Sequence, residues 1–199
     1  MFSLGAGGTD QKQKKQQKSK QNPSPCSNSS MRRNRVLLEG AEYHVTARIN
    51  RGEKIFISQE DRELFMAILK RAKKKFVFSL KNFCVMGNHI HLLIKPGAEE
   101  SLSKIMQWIL GVFAQAWNKK HGLSGHLWGE RFFSRIILGF LDFLRVFVYI
   151  DYNPVIAGIV TKPEQWKHGG LWHHKKGLTD ITALEDPDVL AYFPEHQPI

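Results

Sequence analysis

Cysteine, long apolar runs and acidic residues are all scarce in this sequence, and each shortage excludes a class of protein. Only Cys26 and Cys84 occur in 199 residues, too few for a disulfide framework, so the chain reads as intracellular and cytoplasmic. No stretch approaches the roughly 20 apolar residues that a membrane span requires, and the N-terminus lacks the apolar core of a secretory signal. There is no Gly-x-x-x-x-Gly-Lys loop, so no nucleotide cofactor is expected. Against 18 Asp and Glu stand 29 Lys and Arg, a net charge of +11, which points to an anionic partner, with nucleic acid the commonest. That excess is concentrated at one end: Lys12, Lys14, Lys15, Lys18, Lys20, Arg32, Arg33 and Arg35 face Asp10 alone, and the remainder is nearer neutrality.

What is present divides the chain in two. Residues 1–34 are Gln, Lys, Ser, Asn and Gly with almost no large apolar side chains, and such a segment cannot offset the entropy of ordering, so a disordered basic tail is expected. Residues 35–199 form the folded part, with a loop-rich extension from about 168. Tyr43 to Ile49 is rich in β-branched and aromatic residues and predicts a strand, with Lys54 to Phe56 as the start of a return. Ser58 is a suitable N-cap for a helix whose Leu64, Phe65, Ile68, Leu69 and Ala72 share one face. Phe76–Leu80 and Asn82–Met86 read as two strands, Gly87-Asn88 as a hairpin turn and His89–Lys95 as the next strand. A second helix runs from about Ser101, as cap, to Lys120 and ends at Gly122. A short strand near Ser134–Leu138, a third helix over Phe140–Tyr152 and a terminal helix near Pro187–Phe193 complete the set. The order predicts an α+β fold near the ferredoxin-like plan, an antiparallel sheet with helices packed on it.

Two constellations carry possible chemistry. His89 and His91 are two apart on a strand, so they point to the same face about 7 Å apart and can converge on one metal ion. They also suit a solvated sheet face, but their strand is flanked by apolar FCVM and LLIK, the mark of a central strand. Tyr149 and Asn153 are four apart near the end of the third helix and share a face if the helix persists, although Pro154 biases Asn153 toward a last turn or cap. Tyrosine can serve as a covalent nucleophile, and asparagine can add a neutral oxygen to two histidines on Mg²⁺ or Mn²⁺. Taken alone, Tyr149 better fits a core position beside Phe147 and Ile150.

The run VMGNHIHLLIKP, followed some sixty residues later by FVYIDYNPVIAGIV, resembles the one-tyrosine transposases of the His-hydrophobic-His superfamily, the REP-associated subgroup above all. YHVTARINRGEKIF and GHLWGERFFSR extend the likeness over roughly residues 35–168. The resemblance implies a transposase acting on single-stranded, hairpin-forming DNA through a 5′-phosphotyrosine link. It implies that His89 and His91 bind a divalent metal, Mg or Mn, that Asn153 is the third ligand and that Tyr149 is the nucleophile, with Tyr152 the competing candidate nearer the NPV motif. A Trp-Ser-Ser element common after NPV in that family is replaced by WKHGGLWHH. Such enzymes act as monomers or homodimers.

Arg131, Arg135, Lys104, Lys119 and Lys120 are candidate phosphate contacts, and Trp128, Phe132 and Trp172 candidate stacking platforms, although core packing suits any one aromatic better. His44 and His126 read as structural or phosphate-facing, and His173-His174 as solvated. Two other readings remain: a non-catalytic nucleic-acid binder or repressor on the same fold, and a metal-dependent hydrolase that uses water in place of tyrosine.

Overall fold

The structure is a computed structural model that describes residue 38, residues 40–182 and residues 187–193. The basic tail, with Cys26, lies outside the described residues.

Four strands form one antiparallel sheet: β1 (Tyr43–Arg48), β2 (Phe78–Val85), β3 (His89–Pro96) and β4 (Phe133–Ile136), in the order β2-β3-β1-β4. Helix α1 (Gln59–Lys75) follows β1 and α2 (Leu102–His121) follows β3, so the β-α-β-β-α-β order and strand arrangement are those of the ferredoxin-like plan. Helix α3 (Phe140–Ile156) follows β4, and short helices α4 (Gly170–Lys175) and α5 (Pro187–Tyr192) come after it. No helix among the described residues is long and apolar enough to cross a membrane.

Strand alternation sorts the side chains into two layers. One face of the sheet, with Val45, Ala47, Phe83, Val85, Ile90, Leu92 and Ile94, packs against Phe65, Ile68, Leu69, Ile105, Ile109 and Phe113 of α1 and α2. The other face carries Cys84 and Leu93 and packs against Phe143, Val146, Phe147 and Ile150 of α3, with Trp166 and Val189. Ser58 caps α1 by accepting the Asp61 N–H at 3.1 Å. Ser101 stands at the N-cap of α2 but makes no side-chain cap bond, and Gly122 ends that helix with φ 65°, a left-handed turn that glycine adopts without steric cost.

Four local expectations need correction. The two strands read at Phe76–Leu80 and Asn82–Met86 are one strand, β2, with a register shift between Leu80 and Asn82. Lys81 is the inserted residue, so Phe78 and Leu80 before it and Phe83 and Val85 after it all reach the same core, and the phase change in the sequence is a bulge, not a chain reversal. Lys54–Phe56 forms no strand; the Ile55 and Phe56 N–H groups both donate to the Gly87 carbonyl, at 3.0 and 3.1 Å, pinning the β2–β3 turn. Helix α3 does not stop before Asn153-Pro154 but runs through them to Ile156, since Pro154 removes only one donor in a helix already held on the sheet. His173 and His174 are not solvated: α4 buries both, His173 edge-on to Phe83 and His174 stacked on Phe147.

The buried His173 ties stability to pH. Burial, the largest influence on it, and the Lys70 charge hold its imidazole down to about 4 from 6.5, while Asp180 acts the other way. The unfolded chain therefore takes up a proton below about pH 6.5 that the native state refuses until about pH 4, so stability present above that window is lost as pH falls through it. His173→Leu is expected to flatten the fall of the urea midpoint across this window; a variant as steep as the parent would assign the dependence to other groups.

Candidate active site

The face of the sheet covered by α3 is polar at one end. Strand register sets rows across it: Cys84, His91, Thr46 and Phe133 lie in one row, Asn82, Leu93, His44 and Arg135 in the next, with Arg48 opposite His89. His89 and His91 thus share this face, with ring centroids 4.9 Å apart, while Ile90 and Leu92 go into the opposite core. His91 is 2% exposed.

Helix α3 brings the second half. The Tyr149 ring meets His91 edge-on at 5.4 Å and His44 at 5.9 Å, and is 45% exposed. One turn on, Asn153 is buried, its Nδ2 donating to the Tyr149 carbonyl at 3.3 Å, and its side chain lies near His89. His89, His91, Tyr149 and Asn153 are therefore brought together. Tyr152 is 48% exposed and makes no ring contact with either histidine.

The imidazoles are held neutral. Burial, followed by the charge of His89, His44 and Arg48, holds His91 far below the ordinary histidine value. Burial and Arg48 lower His89, and burial and Arg135 bring His44 down to about 4. A neutral imidazole keeps a ring lone pair for a metal. His89 Nδ1 lies 2.7 Å from Asn88 Oδ1, an acceptor that fixes the proton there and leaves Nε2 as the lone-pair nitrogen. His91 Nε2 is buried with no hydrogen-bond partner. Among the described residues no three His, Cys, Asp or Glu side chains cluster as a metal site.

The basic and aromatic candidates disperse. Arg131 is exposed just ahead of β4, and Arg135 on β4 pairs with Asp142 at 2.7 Å, beside His44. Lys120 pairs with Asp61 at 2.8 Å; Lys104 and Lys119 lie on α2, which packs on the far face of the sheet from the histidines. Trp128 donates its indole N–H to the Leu110 carbonyl at 2.9 Å and packs on Phe56 and Phe113. Phe132 is buried at 7%, while its neighbour Phe133 is 63% exposed on the site face, one strand from His91. Sequence reading singled out Phe132 and passed over Phe133; strand parity with Arg135 was the available signal. It also left His44 outside the centre, where its pairing across to Arg135 and its contact with His91 now put it.

The fold and the polar face define an α+β protein with a histidine pair on a central strand and a tyrosine helix laid over it. Residues 38–153 match the family described as IS200-like transposases, and the chain belongs to that family. It is similar to a Haemophilus influenzae protein described as a REP-associated tyrosine transposase, 24% identical over 148 residues that cover 69% of this chain and 83% of that one. Its fold is also that of a REP-associated tyrosine transposase solved bound to a REP hairpin, with TM-score 0.61, 21% identity and coverage of 77% of this chain and 91% of the other.

One polar side chain ties α3 to the sheet. Asn82 Nδ2 donates to the Phe147 carbonyl at 3.2 Å and to Asp151 Oδ1 at 2.9 Å, and its Oδ1 accepts from the Phe83 N–H. Gly170 leaves it room, since a Cβ there would sit 2.1 Å from Asn82 Oδ1. Asn82→Ala is expected to cost about 1–3 kcal/mol, read from the urea midpoint. An unchanged midpoint would mean that the α3 groups are satisfied without this tie.

Proposed function

We propose that this transposase cleaves and rejoins single-stranded, hairpin-forming DNA through a covalent tyrosine–phosphate intermediate, in a metal-dependent reaction. The observation that carries the reading is the convergence of two neutral histidines, a buried asparagine and a half-exposed tyrosine at one end of one sheet face. The hairpin-bound relative and the family match support the choice of DNA substrate.

The residues fit a divalent ion: His91 Nε2 is a buried nitrogen without a partner, and His89 and Asn153 stand beside it. Held by His89, His91 and Asn153, Mg²⁺ or Mn²⁺ would supply Lewis-acid polarisation of the scissile phosphate. The rest falls to the chain. Tyr149 Oη attacks the phosphorus, an Oη–P bond forms, and the P–O3′ bond breaks. The phenol gives up its proton and the departing 3′ oxygen gains one, leaving a 5′-phosphotyrosine and a free 3′-hydroxyl. Attack by a 3′-hydroxyl on that link reverses the step and joins strands, so the bond energy is conserved and no nucleotide is consumed. Tyr149 is preferred to Tyr152 because its ring touches His91 and His44.

Purified protein incubated with labelled hairpin oligonucleotides and Mn²⁺ is expected to give a covalent adduct on a denaturing gel, lost on chelation and in Tyr149→Phe but kept in Tyr152→Phe. An adduct surviving in Tyr149→Phe would transfer the role to Tyr152. Binding on a native gel with no adduct in any arm would replace the catalytic reading by that of a DNA-binding protein.

Phe133 presents an exposed ring on the site face, and Arg131, two residues ahead of it, is an exposed cation. Phe133→Ala is expected to weaken binding of single-stranded DNA by about 1–3 kcal/mol, the worth of one stacked base. Arg131→Ala is expected to lower the salt slope of binding by about one. Unchanged affinity and slope would place the strand elsewhere on the surface.

A further inference from the structure

His44 plays no part in the reaction as written, yet it makes the shortest hydrogen-bond contact to His91. Its Nε2 lies 3.0 Å from His91 Nδ1, and the two rings stack with centroids 5.2 Å apart. Thr46 Oγ1 lies 3.2 Å from the same His91 nitrogen. The other ring nitrogen of His91, Nε2, is buried and has no partner.

These contacts decide where the single proton of a neutral His91 resides. Placed on Nε2, it would be a buried N–H with nothing to accept it, while Nδ1 would sit unprotonated between two neighbours. Placed on Nδ1, it has two acceptors within 3.2 Å, and Nε2 keeps its lone pair. The second arrangement requires His44 to present its Nε2 lone pair and carry its own proton on Nδ1. A second group that fixes the tautomer and orientation of a ligating imidazole is a recurrent feature of metal sites.

We propose that His44 is a positioning residue that fixes His91 as the Nδ1–H tautomer, so that Nε2 is the nitrogen offered to a metal. The metal half of this statement rests on the function proposed above; the tautomer half concerns the protein alone. Thr46 is the auxiliary acceptor and His44, the nearer one, is dominant. Arg135 lies opposite His44 on β4, paired with Asp142, and the Tyr149 ring packs edge-on against His44.

The test reads the tautomer directly, by long-range proton–nitrogen NMR of the metal-free, DNA-free full chain. His91 is expected as the Nδ1–H form in the parent and in Thr46→Val. It is expected to lose that preference in His44→Phe, which keeps the ring stack without an acceptor, and in His44→Asn, which is polar but too short to reach. Either His44 variant that folds suffices. An Nε2–H His91 in the parent, or a tautomer unmoved in a folded His44 variant, overturns the proposal. In parallel, Mn²⁺ affinity measured by electron paramagnetic resonance is expected to fall about 10–100-fold in the His44 variants. Parent-like Mn²⁺ affinity in a folded His44 variant also overturns it. Should the parent form no covalent adduct, the cleavage reading fails while the His91 tautomer still decides this one.

Discussion

The period-two alternation of β3 is the constraint on which the rest depends. This strand lies between β2 and β1 and is buried on both faces, so each side chain is committed to one of two layers. Ile90, Leu92 and Ile94 go to the α1–α2 core; His89, His91 and Leu93 go to the α3 side. A slip of one residue would exchange the layers, setting two imidazoles into the main core and three aliphatic side chains onto the site. The apolar residues that hold the register therefore also aim the histidines, and the position of the site is decided by the hydrophobic effect before any polar group contributes.

Much of this was legible because it is periodic. The two-apart histidines, the 3.6-residue stripes of α1 and α2 and the Ser58 and Gly122 boundaries each follow from local pattern, and together they gave the fold plan. The failures are also physical. A bulge at Lys81 changes the phase of an alternating strand, and one sequence cannot separate a phase change from a turn. Pro154 argues for a helix end, but a helix packed on a sheet tolerates the loss of one late hydrogen bond. The His173-His174 pair reads as polar, and only the docking of α4 between Phe83 and Phe147 makes it core. His44 lies 47 residues from His91 in the chain and meets it only through the β1–β3 pairing, which no local pattern encodes.

The site also shows where stability is spent on arrangement. A buried imidazole nitrogen without a partner costs about 1–3 kcal/mol, and His91 Nε2 is such an atom. Desolvated histidines at His44, His91 and His173 resist protonation, so acid works against the fold at several points at once. The aliphatic layer beneath β3 offsets these costs, with Ile90, Leu92 and Ile94 fully buried and closely packed.

Burial and access are divided between the two halves of the centre. On the central strand β3 His91 is 2% exposed, while the Tyr149 ring on α3 is 45% exposed. Under the proposed reaction Tyr149 would carry a DNA strand and His91 would help hold the metal, and the tyrosine is the more open of the two. Helix α3 meets the sheet through aromatic packing of Phe143 and Phe147 and through the Asn82 contacts to Phe147 and Asp151, all on its inward side and all below Tyr149 in the helix or within one turn of it. The tyrosine thus stands on an anchored base with a free outer face. The backbone behind Tyr149 is tied to β2 while its ring stays accessible, the combination that the proposed covalent relay would require.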